Sequence, residues 1–148
     1  MADELPSALL FACTKNAVRS PMAAGIARHL YGNRVFIASC GVKPSERDPF
    51  VTAVMEEIGI DLSKHRPQGF DDLEDSSFDI VVSLSPEAHH RALEMTRTMA
   101  IEAEYWPTFD PTAVQGSREQ IMDAYRDVRD GLMRRIRGRF GSVAARGV

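Results

Sequence analysis

Three short apolar runs restrict the fold more than any other feature: Ala8 to Ala12 (ALLFA), Val35 to Ser39 (VFIAS) and Asp79 to Leu84 (DIVVSL). Each is short enough for a strand and nearly continuous in hydrophobicity, where a half-exposed strand would alternate. Strands of that kind suit a parallel sheet covered on both faces. Ala100 to Trp106 is a weaker fourth run. Helical patterns with identifiable ends lie between them. The first starts at Ser20-Pro21, with Ser20 expected as N-cap and Pro21 at the first helical position, and stops at Gly32. The second covers about Pro49 to Ile58, with Val51, Val54, Met55 and Ile58 on one face and Gly59 as its stop. Ser85-Pro86 opens a third. The last runs from about Ser117 to Phe140 and carries the stripe Ile121, Tyr125, Val128, Leu132, Ile136. Strand–helix alternation in a chain this short implies a three-layer α/β fold, a parallel sheet with helices on both faces and right-handed crossovers.

The chain has 148 residues, which suits one domain spanning 1–148, and neither an internal repeat nor a linker-like stretch interrupts it. The formal net charge is −3, from 18 basic and 21 acidic residues. Charge that balanced argues against nucleic acid or a membrane surface as a partner held by bulk electrostatics. Arg134, Arg135, Arg137, Arg139 and Arg146 form a basic stretch, better explained by cations complementing the carboxyl end of a helix. No apolar run approaches the roughly 18 residues of a membrane span. The segment MADELPSALLFA carries acids where a secretory signal carries Lys or Arg. Two cysteines, Cys13 and Cys40, make no disulfide framework, so the expected compartment is the cytoplasm with both thiols reduced.

In open α/β sheets, ligands bind beyond the carboxyl ends of strands at a topological switch point. The first strand ends at Cys13, and the turn after it reads Cys13-Thr-Lys-Asn-Ala-Val-Arg19-Ser20-Pro21. Small and polar residues let such a loop curl with successive N–H groups inward, an anion nest to which a helix N-terminus adds partial positive charge. Arg19 supplies a planar fork for two oxygens of an oxyanion. A thiol at the bottom of a positive bowl is favoured as thiolate at neutral pH, and Ser20 can donate to it. A nucleophile inside an oxyanion cradle implies attack on phosphorus or a similar tetrahedral centre. The spacing of Cys and Arg is weak by itself; its position between a strand and a capped helix strengthens it.

The segment LLFACTKNAVRSPMAAGIARHLYG resembles the amino terminus of the low-molecular-weight protein tyrosine phosphatases, whose signature is Cys, five residues, Arg, Ser. VFIASCGV resembles the family's second strand with its Ser-Ala-Gly turn, Cys40 standing where Ala is usual. MEEIGIDLSKHRP, FDIVVSLS and YWPTFDPT resemble the segment after the second helix, the third strand and the stretch with the family's Asp-Pro. Arsenate reductases of the same fold share these landmarks. The resemblance implies a four-stranded parallel sheet. It also implies Cys13 as nucleophile, Arg19 as phosphate fork and Asp110 as general acid. Thr14, Lys15, Asn16, Ala17 and Val18 would supply loop N–H groups and Ser20 would support the thiolate. Asn16, in a left-handed conformation, would be braced by Ser39 and His65. Asp110 by itself reads as no more than a turn residue before Pro. Asp48 is the next carboxylate should Asp110 not serve.

The activity implied is phosphomonoester hydrolysis through a phosphocysteine on Cys13, with no metal or cofactor. The substrate would be a phosphorylated molecule, including a phosphotyrosine protein, or an inorganic oxyanion. Arsenate reduction with an external thiol is the alternative, since thioredoxin-coupled members carry two relay cysteines late in the chain and none follows Cys40. An inactive oxyanion-binding regulatory protein is a third. His29, His65, His89 and His90 show no metal-site spacing, and His89 and His90 read as solvent-facing. Val18 stands where the family has a second loop cysteine. The wall GVKPSERDPF lacks the aromatic residue of many eukaryotic members, and Thr112 and Ala113 replace their paired tyrosines, leaving Tyr105, Trp106 and Phe109 nearby, any of which could be core.

Overall fold

The computed structural model describes residues 5–74 and 77–141. It has four strands, β1 (Ala8–Cys13), β2 (Phe36–Gly41), β3 (Ile80–Ser83) and β4 (Glu102–Tyr105), and four helices, α1 (Arg19–Tyr31), α2 (Pro49–Glu56), α3 (Pro86–Met95) and α4 (Arg118–Phe140). All strand pairs are parallel in the order β2-β1-β3-β4. The chain leaves β1 to one side for β2 and returns on the other side for β3. The switch point therefore falls at the carboxyl end of β1, where Cys13 sits. No helix among the described residues is long and apolar enough to cross a membrane.

The four runs become the four strands within a residue or two at each end. Successive residues of β1 serve opposite faces: Leu9, Phe11 and Cys13 join the cluster under α1, α2 and α4, whereas Ala8, Leu10 and Ala12 join the cluster under α3. That two-sided burial is why the runs are apolar without alternation. The α4 stripe faces the larger cluster, with Tyr125, Val128, Leu132 and Ile136 buried and Ile121 half-buried.

Helix ends follow local chemistry. Ser85 caps α3 by accepting from Ala88 N, and Ser117 and Gln120 form a reciprocal capping box on α4. The second helix ends at Glu56, with a turn continuing to Gly59, whose φ of +78° only glycine adopts without strain. The first helix corrects the sequence expectation. It begins at Arg19, Val18 occupies the cap position without a side-chain bond, and Ser20 is inside the helix. The Ser20 hydroxyl faces Cys13 instead of capping.

One other expectation changes. His89 is half-buried and stacks on Tyr105 with ring centroids 4.5 Å apart, while His90 is exposed. In the basic stretch, Arg137 and Arg139 lie in the last turn of α4 as expected, Arg139 also pairs with Glu104 at 2.7 Å, and the Arg135 guanidinium lies over the Trp106 ring; Arg146 lies outside the described residues.

Candidate active site

The chain bends at every residue from Thr14 to Val18 between β1 and α1. Four successive carbonyls turn outward there. Cys13 O accepts from Val42 N (3.1 Å), Thr14 O from Lys43 N (2.8 Å), Lys15 O from Ser45 N (3.1 Å) and Asn16 O from His65 Nε2 (2.8 Å). In a trans peptide the N–H points opposite to its C=O, so the N–H edge of this loop turns inward, towards the sulfur. Ser20 N donates to Cys13 Sγ at 3.4 Å, and Ser20 Oγ lies 2.9 Å from the same sulfur. A helix N-terminus and an inward amide edge make a site for an anion.

Asn16 holds this curve. Its φ is +53°, and it is fully buried. Its Nδ2 donates to Ser20 Oγ (2.8 Å) and Ser39 Oγ (2.9 Å), and its Oδ1 accepts from Gln68 N (2.9 Å). Asn tolerates the left-handed region better than most residues, and every polar atom of this side chain is bonded. With Asn16 donating to Ser20 Oγ, the Ser20 proton has two acceptors in reach, Cys13 Sγ at 2.9 Å and Cys40 O at 3.4 Å, the sulfur being the nearer. His65 must donate through Nε2, since its partner is a carbonyl. Burial pushes its imidazole below the ordinary value, and the Arg28 and Arg47 charges act the same way against the opposing Asn16 bond.

Two residues that sequence reasoning missed complete the support. Gln68 donates from Nε2 to Ser39 O as well as from its backbone to Asn16. Gly41, at the end of β2, lets the loop approach: a Cβ there would lie 2.7 Å from Asn16 N and 2.9 Å from Thr14 O. The SCGV turn carried that signal. Thr14 also reaches outside the loop, its hydroxyl donating towards Ser85 Oγ and Glu87 Oε1, each at 3.0 Å.

Arg19 is brought to the far side. Its Nη1 donates to Thr108 O at 3.1 Å, and its Nη2 lies 3.8 Å from Asp110 Oδ2. Asp110 does behave as a turn residue, but with one oxygen only. Oδ1 accepts from Thr112 N (3.0 Å) and Thr112 Oγ1 (2.7 Å), which caps a short 3₁₀ turn, and Oδ2 faces Arg19. One carboxylate thus fixes its own backbone and presents its second oxygen to the cradle.

A cavity of about 450 Å³ opens over the sulfur, lined by Cys13, Lys15, Ala17, Val18, Arg19, Asp110 and the wall Ser45–Phe50, and closed by Ile121 and Tyr125 of α4. Lys15 is exposed at its rim. Its aromatic residues are Phe50 and Tyr125, with ring centroids 5.3 Å apart. Phe50 thus corrects the expectation of a wall without an aromatic residue; of the other nearby aromatics, Tyr105 stacks on His89, Trp106 is core, and Phe109, 59% exposed, borders a different hollow. Tyr125 was legible only as a member of the core stripe. Asp48, the reserve carboxylate, has both oxygens engaged, Oδ1 by Phe50 N (2.8 Å) and Oδ2 by Tyr125 OH (2.6 Å).

The Cys40 side chain stands apart from all of this, although its carbonyl lies 3.4 Å from Ser20 Oγ. Its strand neighbour is Ala12, and its side chain lies in the cluster under α3, across the sheet from Cys13. Burial pushes its thiol well above the ordinary value, and the Cys13 charge acts in the same direction.

The family model for the low molecular weight phosphotyrosine protein phosphatases matches residues 8–145. The chain belongs to this family. The "Glutaredoxin arsenate reductase" of Synechocystis sp. is 27% identical over 136 residues, covering 92% of this chain and 98% of that protein. The "Arsenate reductase" of Bacillus subtilis is 30% identical over 129 residues, covering 87% and 91%. Among solved structures, an arsenate reductase in the phosphate binding state superimposes with a TM-score of 0.69 at 29% identity, covering 88% and 94%. Like other members of the low molecular weight phosphatase family, the chain has a four-stranded parallel sheet with helices on both faces.

Proposed function

We propose that this member of the family reduces arsenate, with Cys13 as nucleophile and an external thiol as reductant. The relatives named arsenate reductase, which align over nearly the whole of both chains, carry the reading, and the isolation of Cys13 assigns the reductant to an external thiol. Cys40, the other of two cysteines in the sequence, lies on the opposite face of the sheet, so a disulfide between them would require β2 to detach. The electrons that a cysteine relay within the chain would supply must then come from outside.

In the first step the Cys13 thiolate attacks arsenic. A sulfur–arsenic bond forms, an arsenic–oxygen bond breaks, and the departing oxygen takes a proton from Asp110 and leaves as water. Arg19 and the inward amide edge hold the remaining oxygens. An external thiolate then attacks Cys13 Sγ. A disulfide forms, the sulfur–arsenic bond breaks, and its electron pair stays on arsenic, which departs as arsenite. A second thiol attacks the outer sulfur and frees Cys13. Two external thiols become one disulfide while arsenic gains two electrons.

Phosphomonoester hydrolysis is the second reading, favoured by one feature. The cavity of about 450 Å³, walled by Phe50 and Tyr125, is larger than an inorganic oxyanion needs. There Asp110 protonates the ester oxygen as the sulfur–phosphorus bond forms, then takes a proton from the water that hydrolyses the phosphocysteine. Two assays run side by side separate the readings: arsenate-dependent oxidation of glutathione with a glutaredoxin, and hydrolysis of p-nitrophenyl phosphate, each with Cys13→Ser as blank. Thiol oxidation that disappears in Cys13→Ser supports reduction. Hydrolysis without thiol oxidation supports the second reading. Residual turnover within tenfold of wild type would remove Cys13 from either mechanism.

A further inference from the structure

The cavity has two sides with different supports. The cradle side, Cys13 to Arg19, is held by Asn16, Ser39, His65 and Gly41. The opposite wall, Ser45 to Phe50, is a loop entering α2, and a loop wall needs an anchor to keep a defined distance from the sulfur. Asp48 sits at its centre. Its Oδ1 caps α2 through Phe50 N at 2.8 Å, and its Oδ2 accepts from Tyr125 OH at 2.6 Å. Tyr125 belongs to α4, whose buried stripe is seated in the main core. Burial raises the Tyr125 hydroxyl above its ordinary value, with the Asp48 hydrogen bond and charge adding to it. The hydroxyl accordingly stays protonated and donates.

Phe50 is the residue that this arrangement places. Its amide is tied to Asp48, its ring tilts against Tyr125 with centroids 5.3 Å apart, and the Arg118 guanidinium lies over the ring at 5.5 Å. Asp48, Phe50 and Tyr125 all line the cavity that contains Cys13 and Asp110.

We infer that Tyr125 and Asp48 form a positioning pair that ties the wall to α4, holding Phe50 over the cavity, and so set affinity for an organic group attached to the oxyanion. The inference rests on the Cys13 cavity being the oxyanion site, but on neither choice between reduction and hydrolysis. It concerns the part of a ligand beyond its oxyanion, which an arsenate ion lacks and a phosphonate or phosphoester carries.

The test is equilibrium binding of two probes that do not turn over, inorganic phosphate and phenylphosphonate, to the full chain and three variants. Tyr125→Phe removes the donor and keeps the ring. Asp48→Ser keeps a good N-cap but is too short to reach Tyr125. Asp48→Asn keeps the length and a cap acceptor, and its amide can donate to the tyrosine oxygen. The ratio of phenylphosphonate to phosphate affinity should fall about fivefold to tenfold in Tyr125→Phe and Asp48→Ser. The double variant should fall no further, because the two residues act through one bond, and Asp48→Asn should recover most of the ratio. An unchanged ratio in Tyr125→Phe, or additive losses in the double variant, overturns the pair. Failure of wild type to bind phosphate would instead overturn the oxyanion site itself.

Discussion

Arg19 Nη2 stands 3.8 Å from Asp110 Oδ2 across the mouth of the cavity, while Thr108 O takes the other terminal nitrogen of the same guanidinium at 3.1 Å. The segment that carries Asp110 is thereby joined to the cradle that Arg19 belongs to. Both side chains line the cavity that holds Cys13.

If Asp110 protonates the oxygen that leaves when Cys13 attacks, Asp110→Asn should slow reactions with poor leaving groups by about 10²–10⁴. Arsenate, which loses a hydroxide-level oxygen, belongs to that class, as does phenyl phosphate. An activated aryl phosphate, whose phenolate departs unaided, should lose much less in its first step, giving a burst of phenol in stopped-flow traces. Equal losses for good and poor leaving groups would show that the acid is elsewhere.

Arg19→Lys should weaken phosphate or arsenate binding by about tenfold to a hundredfold, since a charge-assisted hydrogen bond contributes roughly 1.5–3 kcal/mol. An ammonium is a point charge and cannot reproduce a two-oxygen fork. Competitive inhibition by inorganic phosphate measures the change. Inhibition constants equal to those of wild type would mean that the guanidinium does not contact the anion.

Asn16 combines a left-handed backbone with a saturated hydrogen-bond set, so two substitutions separate these roles. Asn16→Gly should be more stable than Asn16→Ala by about 1 kcal/mol, because glycine carries no cost at φ +53°. Both should lose most of their turnover, since Ser20 and Ser39 are left without the amide that organises them. Chemical denaturation and rate measurements on the pair test this, and an active Asn16→Gly would reduce the side chain to a backbone device.

Gly41→Ala puts a methyl 2.7 Å from Asn16 N, where either β2 or the loop must shift. The loop is the less constrained of the two, so the fold should persist with a displaced cradle. A cooperative thermal transition with phosphate affinity reduced tenfold or more is the expected outcome. Wild-type affinity would show that the loop has slack.

Stability away from the site should depend on acid through Glu57. Hydrogen bonds from Arg126, then Arg129, hold its carboxyl at about 2, below the ordinary 4.5. A depressed folded-state value means that the unfolded chain takes up protons first as pH falls. The contribution is therefore complete above about pH 4.5 and is lost as pH falls towards about 2. Glu57→Gln should lower the thermal midpoint at pH 7, and its deficit should shrink at pH 3. A deficit independent of pH would assign the effect to packing.

Much of this was legible in the order of residues. Burial on both faces leaves its mark as nearly uninterrupted apolar runs in β1, β2 and β3, whereas the edge strand β4, with Glu102 and Glu104, gives a weaker signal. Caps at Ser85 and Ser117 are set by side chains bonding amides three residues on, which sequence displays directly. The link between Cys13 and Arg19 is also local, a single loop between a strand and a helix. What tertiary structure alone decided are relationships between residues far apart in the chain. Ser20 reads in sequence both as a cap and as a donor to Cys13, and only the contacts with Asn16 and the Cys13 sulfur decide between them. Asp48 and Tyr125 read as a wall acid and a core aromatic until α4 crosses α2 and their oxygens meet at 2.6 Å. Sequence gives Cys40 no role, and strand register is what assigns it to the face opposite Cys13. A side chain's neighbours along the chain dictate its conformation, but its partners across the sheet dictate its chemistry, and those are set by how the layers pack.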